Sequence, residues 1–219
     1  MLLAIADILS ADDLGVVRAA LERAHFVDGK TTAGWAARLV KDNLQAVRDE
    51  ALTEIAGLVE ERLRANTTFM LSTRPKSIIG PLFSRYETGH AYGLHVDDAM
   101  LDGRRSDVSF TLFLSDPESY EGGELVLDTT LGEEAIKLAA GSVFVYPATL
   151  LHRVAPVTRG VREAAVGWVR STVRDAAQRE LLFDLETARR RLFERDGKTA
   201  EADMLARCTA NLLRMWCED

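Results

Sequence analysis

Cysteine is scarce in this chain. The 219 residues hold two, Cys208 and Cys217, both near the C-terminus. Two late cysteines make no disulfide framework and no Cys-x-x-Cys zinc pattern, so they read as free thiols of a reducing, cytoplasmic compartment. Long apolar runs are missing too. Nothing approaches the roughly 18 residues of a membrane span, so no membrane partner is expected. Met1 to Ala6 is apolar but has no basic leader and is broken by Asp7, which does not read as a signal peptide. Positive charge is in deficit: 27 Lys and Arg stand against 34 Asp and Glu, a net charge of −7. That argues against a nucleic acid or an acidic membrane as partner. Gly122-Gly123 is followed by neither a helix start nor Lys-Ser/Thr, so it is a turn before a strand and no phosphate loop. No internal repeat or low-complexity linker is visible, and only four histidines occur.

An apolar content of 47% and a charged content of 28% suit a globular chain with one good core. Met1 to Ile8 predicts a short strand. Ser10, with Asp13 three residues on, predicts a capped helix that buries Leu14, Val17 and Leu21 and runs to about Ala24. His25 sits at its end, and Asp28-Gly29 is a turn. Trp35 to Asn43 shows no clear pattern. Asp49 to Ala65 predicts a helix with Leu52, Ile55, Val59 and Leu63 on one stripe, stopped at Asn66. From Phe69 to Arg170 the pattern changes to short strands. Ile78 to Tyr86 is interrupted by Gly80-Pro81, which suggests an edge or a bend. Val108, Phe110, Leu112 and Leu114 alternate with Ser109, Thr111 and Ser115. Further strands are expected at Glu124 to Leu127, Ala135 to Leu138, Val143 to Tyr146, His152 to Val154 and Glu163 to Val169. Many short strands suggest a sandwich or jelly roll. Arg174 to Arg195 is helical again, with Leu181, Leu182, Leu185 and Leu192 as its apolar face and Gly197 as C-cap. Thr199 caps a last helix with Leu205, Leu212 and Met215. Arg189-Arg190-Arg191, close to Glu186 and Glu194, reads as an ion-paired face.

The chemistry concentrates in two stretches. His95-Val96-Asp97 places an imidazole and a carboxylate two residues apart, on one face if the segment is a strand. His152, 55 residues after Asp97, offers a third ligand. Two His and one carboxylate are the ligand set of non-haem Fe(II) oxygenases, and zinc can occupy the same set. Arg162 follows His152 by ten residues, beyond a turn at Pro156 to Gly160. With His152 on one strand and Arg162 on the next, the guanidinium approaches the metal cavity, where it needs an anion. A dicarboxylate whose keto acid end chelates iron and whose far carboxylate pairs with Arg would supply one, which describes 2-oxoglutarate. Arg159 is the rival, but it lies in the turn and faces water. Trp168 shares strand parity with Arg162 and is expected on the cavity wall or against substrate. His90 is a loop residue, and Asp98 to Asp107 is a loop that can border the cavity mouth.

These residues carry a family resemblance. Arg85-Tyr86-Glu87-Thr88-Gly89, His95-Val96-Asp97, Tyr120-Glu121-Gly122-Gly123-Glu124-Leu125, then His152, Pro156-Val157, Gly160, Arg162 and Trp168 resemble the prolyl 4-hydroxylase branch of the Fe(II)/2-oxoglutarate dioxygenases. Leu112 to Pro117 and Arg174 to Arg179 make the chain most similar to the bacterial PKHD-type hydroxylases, and the resemblance runs from Ser10 to about Leu192. Arg162 stands where the animal enzymes usually have Lys; Arg is usual in the bacterial group. The resemblance implies an α+β fold: a double-stranded β-helix, or jelly-roll, core at about 69–170, N-terminal supporting helices and a C-terminal helical appendage. It divides the chain into a dioxygenase domain, 1–174, and the appendage, 175–219. It implies Fe(II) on His95, Asp97 and His152, and 2-oxoglutarate on Arg162 with help from the Tyr86 hydroxyl. O2 is the other co-substrate, with ascorbate as a reductant. The implied reaction is hydroxylation of a prolyl-containing peptide or a small molecule such as a siderophore, releasing succinate and CO2. Similar bacterial proteins are often associated with iron uptake. A homo-oligomer could form through the C-terminal helices. Two other classes remain open at this point: a non-catalytic accessory protein that responds to iron or 2-oxoglutarate, and a zinc hydrolase, which would leave Arg162 unexplained.

Overall fold

Ser10 sets the first helix. Its hydroxyl accepts from the Asp13 backbone N–H at 3.1 Å, and the Asp13 carboxylate accepts from the Ser10 N–H at 3.1 Å, which closes a capping box. The same carboxylate accepts from Arg62 Nε at 3.0 Å and so ties this helix to the next. The computed structural model describes residues 1–218. In chain order the first elements are β1 (Leu3–Ile5), α1 (Ala11–Arg23), β2 (Phe26–Asp28), β3 (Lys41–Asp42), β4 (Leu44–Ala46), α2 (Glu50–Ala65) and α3 (Thr67–Thr73). Asn66 ends α2 and caps α3, its side chain accepting from Phe69 N–H at 3.0 Å. The strand region holds β5 (Pro75–Tyr86), β6 (Ala91–His95), β7 (Met100–Leu101), β8 (Arg104–Arg105), β9 (Val108–Phe113), β10 (Glu121–Gly122) and β11 (Leu125–Thr129). It continues with β12 (Gly132–Ile136), β13 (Val143–Pro147), β14 (His152–Val154), β15 (Val157–Arg159) and β16 (Arg162–Ser171). Helices α4 (Ala176–Asp196) and α5 (Ala200–Trp216) follow.

Seven strands form one sheet in the order β1-β13-β9-β16-β5-β4-β2, and five form another in the order β12-β11-β14-β6-β3. All pairings are antiparallel. This is the expected α+β jelly roll. Val17, Leu21, Leu52, Val59 and Leu63 from α1 and α2 join Ile78, Val108, Leu112 and Val145 of the large sheet in one core. Each such fully buried aliphatic side chain contributes about 1.5–3 kcal/mol. The alternation in β9 ordinarily means apolar inside and polar outside. Here both faces are buried. Ser109 and Thr111 turn toward the cavity between the sheets rather than toward water.

Two expectations need correction, and that for Gly80-Pro81 is met locally: the strand is continuous and lies between β16 and β4 in the large sheet, yet it is unpaired on one side at Pro81. Proline is tolerated there because β4 reaches only Ser84 and Arg85, so β5 has a free edge at Pro81, and a bulge in β16 lies opposite. In α4 the buried residues are Arg179, Leu182 and Glu186, while Leu181 is exposed. Polar side chains take part in that face because Arg179 donates to the Val173 and Arg174 carbonyls, and Glu186 accepts from Arg189 and Arg190. In α5 the buried residues are Ala202 and Thr209, and Met215 is exposed. No helix among the described residues is long and apolar enough to cross a membrane.

Candidate active site

His95 ends β6, and its register partner on β14 is His152. The two imidazoles therefore face each other across neighbouring strands, ring centroids 4.3 Å apart. Asp97 lies just past the end of β6 and keeps to the same side. His95, Asp97 and His152 offer ligand atoms that all fall within 4.8 Å of one another. Each group is held from behind. His95 Nδ1–H donates to the Gly93 carbonyl at 2.8 Å, and His152 Nδ1–H to the Leu150 carbonyl at 3.0 Å, so both Nε2 atoms stay free as acceptors. Ser109 Oγ donates to Asp97 Oδ2 at 2.6 Å, while Oδ1 stands 3.8 Å from His152 Nε2. Burial, and then the neighbouring His152, hold the His95 imidazolium down to about 4, so at neutral pH the ring is neutral and able to ligate.

Behind these three groups lies a cavity that opens to solvent; its empty space, mouth included, is about 800 Å³. Arg162 opens β16, on the large sheet and not on the strand next to His152. The turn between them contains the short β15, which pairs with β10. The site thus lies between the two sheets, with the His pair from one and Arg162 from the other. Arg162 is 1% exposed, and its Nε and Nη1 have no partner among the described residues. Its neighbours are aromatic: the guanidinium carbon lies 5.1 Å from the Tyr86 ring centroid and 5.6 Å from that of Phe113. Tyr86 is the register partner of Arg162 on β5. Burial pushes the Tyr86 hydroxyl up to about 12, so it remains a proton donor. A buried, unpaired guanidinium beside a phenol is a socket for a carboxylate.

Trp168 lines the same cavity, together with Leu82, Tyr146, Val166, Asp98 and Leu101 of β7. Arg159 points out and pairs with Glu121 at 2.9 Å. His90 accepts the Glu87 N–H in the turn before β6, and His25 is exposed after α1. The segment without a sequence pattern, Trp35 to Asn43, and the residues just before it supply what was missed. Two short 3-10 turns (Gly29–Thr32 and Ala37–Leu39) and β3 wall the cavity with Thr32, Ala33, Gly34, Ala37 and Lys41. Tyr92, also unforeseen, stacks on His95 with centroids 3.6 Å apart. Ser109 could have been found from the polar positions of β9; Lys41 carried no signal.

Residues 81–170 match the sequence profile of the 2OG-Fe(II) oxygenase superfamily, and residues 176–218 match that of the PKHD-type hydroxylase C-terminal domain. Fold and site together define a 2-oxoglutarate-dependent dioxygenase, a class that uses Fe(II) and 2-oxoglutarate. The chain is 50% identical to a PKHD-type hydroxylase of Gloeothece citriformis and 51% identical to one of Acaryochloris marina, covering 100% of each protein and of itself. It belongs to the PKHD-type hydroxylase family. Among solved structures it is similar in fold to a prolyl-4-hydroxylase of Pseudomonas putida, with a TM-score of 0.57, 21% identity and coverage of 78% of this chain and 92% of that one. HygX from Streptomyces hygroscopicus, solved with nickel, 2-oxoglutarate and hygromycin B bound, has a TM-score of 0.56 at 16% identity, covering 78% of this chain and 83% of that one.

Proposed function

We propose that this chain hydroxylates a C–H bond of a peptide or small-molecule substrate, with Fe(II) held by His95, Asp97 and His152 and 2-oxoglutarate anchored by Arg162. The observation that carries the reading is Arg162: a fully buried cation with unpartnered nitrogens, in the cavity that also holds two imidazoles and a carboxylate. The donor set suits Fe(II), and a dicarboxylate answers both ends of the cavity. Zinc hydrolysis would leave Arg162 without a role. When bound, iron and 2-oxoglutarate supply the oxidation: substrate–H, O2 and 2-oxoglutarate become substrate–OH, succinate and CO2. The chain's own residues do the rest. Arg162 takes the far carboxylate in a two-point pairing, and the protonated Tyr86 hydroxyl donates beside it. Ser109 holds the Asp97 carboxylate in its ligating orientation. Leu82, Val166 and Trp168 give the cavity an apolar wall that keeps water from the reacting position. The PKHD name of the relatives supports hydroxylation as the outcome. A prolyl-containing peptide and a siderophore-like small molecule are the two substrate classes this reading admits. The C-terminal helices, 175–219, are proposed as an appendage to the dioxygenase domain.

The test is anaerobic. Apo-protein loaded with Fe(II) is titrated with 2-oxoglutarate, and the visible charge-transfer absorption of the chelate is recorded. The band is expected in the parent protein. In Arg162→Ala it requires a concentration of 2-oxoglutarate higher by ~100-fold, the order of a lost charged bidentate pair. His152→Ala is expected to lose succinate formation while keeping its circular dichroism. Iron binding without a band, or turnover in His152→Ala, would overturn the assignment.

A further inference from the structure

The cavity contains a second buried cation that the reaction above does not use. Lys41 is 7% exposed and lies on β3, where it is the register partner of Tyr92. Its Nζ donates to Thr32 Oγ1 at 3.0 Å and sits 5.1 Å from the Tyr92 ring centroid. Tyr92 in turn stacks on His95. An ammonium has three donors, and Thr32 takes one. The Thr32 hydroxyl hydrogen is itself committed to the Gly29 carbonyl, 3.0 Å away, so Thr32 is a fixed post rather than a solvent-like partner. Among the described residues no carboxylate pairs directly with Lys41; the fields of Asp97 and Asp28 reach it from farther off. Once Asp97 ligates a divalent metal, its charge no longer serves the ammonium. A buried charge without a counter-ion is costly, and the fold keeps this one where space is open in front of it. That stretch of the wall is built from Ala33, Gly34 and Ala37, whose small side chains leave room.

We propose that Lys41 is a specificity residue that pairs with a carboxylate carried by the molecule to be hydroxylated. This rests on the reading of the cavity as an iron and 2-oxoglutarate site. One ammonium supplies one unit of positive charge, which a single carboxylate neutralises, whereas a phosphate dianion would keep a charge without a counter-ion. Lys41 and Arg162 belong to opposite sheets: β3 is the edge of the five-stranded sheet, and β16 lies within the seven-stranded one. The proposal assigns the two cations, which face one cavity from opposite sides, to two different anions: 2-oxoglutarate on Arg162 and the substrate on Lys41. The apolar wall of Leu82, Val166 and Trp168 takes the body of that substrate.

The probes are straight-chain and branched aliphatic monocarboxylates, each tested beside its primary amide. They are added to the anaerobic Fe(II) complex at saturating 2-oxoglutarate, and displacement of the charge-transfer band is followed. At least one carboxylate is expected to perturb the band at a concentration ~10-fold or more below its amide, the size of one charge-assisted hydrogen bond. Lys41→Met is expected to abolish that preference and to leave the 2-oxoglutarate affinity unchanged. Thr32→Val, which keeps the ammonium but removes its post, is expected to reduce it. Equal binding of acid and amide, no perturbation by any probe, or a preference that survives in Lys41→Met would overturn the proposal. So would weakened 2-oxoglutarate binding in Lys41→Met, which would move Lys41 to the co-substrate's site. If the parent protein shows no band, the reading of the cavity itself fails and takes this one with it.

Discussion

Asp97 divides its two oxygens: Oδ2 accepts from Ser109 and Oδ1 faces His152. Ser109→Ala leaves the three proposed ligands in place but frees the carboxylate to rotate. Metal affinity is expected to fall ~10- to 100-fold, the usual cost of losing such a support, as measured by Fe(II) or Zn(II) titration. Unchanged affinity would show that strand geometry alone orients Asp97. Lys41 makes the opposite prediction for stability. Burial pushes its ammonium from the ordinary 10.5 down to about 8, with Asp97 and then Asp28 pulling the other way. Between those two values the unfolded chain binds more protons than the folded one, so stability rises with pH there. The cost is fully present below about pH 8 and disappears toward 10.5. Lys41→Met is therefore expected to raise stability at pH 7, by on the order of 3 kcal/mol, with the gain shrinking as pH rises. Urea midpoints at pH 7 and pH 10 would show it, and a less stable variant at pH 7 would contradict the unpaired ammonium.

At the scale of elements, the β10 to β11 connection positions Arg162, the proposed anchor. Gly123 has φ +67, and a Cβ there would come within 2.9 Å of Arg162 Cδ and 3.0 Å of Val157 Cγ2. The backbone needs a left-handed residue at the point where it needs no side chain. Gly123→Ala is expected to raise KM for 2-oxoglutarate ~10-fold with a smaller effect on kcat, read from succinate release; an unchanged KM would mean that Arg162 has room to give. The strands bearing His152, Arg162 and Ser109 were legible because period-two alternation and short spacing mark strands. The stretch from Gly29 to Asp42 was not. It is made of 3-10 turns and a two-residue strand, too short for any periodicity, and only pairing with β6 fixes it. The apolar faces of α4 and α5 were misread for a related reason. Hydrophobic spacing cannot tell which side of a terminal helix is covered, and here Arg179, Glu186 and Thr209 are among the covered residues.

Across the whole molecule, the C-terminal segment is tied to the rest of the chain at several points. Leu182 is fully buried, and α4 packs on α3. Arg179 Nη1 donates to the Val173 and Arg174 carbonyls at 2.8 Å. Glu218 N–H donates to the Thr172 carbonyl at 2.8 Å, and its carboxylate pairs with Arg105 at 2.9 Å. One cooperative thermal transition is expected by scanning calorimetry. Two transitions would mark residues 175–219 as a separately folding unit.

Sequence alone singled out the candidate ligand set, because His-x-Asp, a distant His and an Arg ten residues later are residue types in an order, and the family resemblance gave them their expected roles. It also determined the strand-rich middle and the capped helices, which follow from local periodicity and local hydrogen bonds. Only the tertiary structure decided that His152 and Arg162 belong to different sheets and that the polar face of β9 looks into a cavity. It alone buried Lys41 in the cavity that His95, Asp97 and His152 line. Each of these depends on which distant strand becomes a neighbour, and long-range pairing leaves no mark in the spacing of residues along one segment.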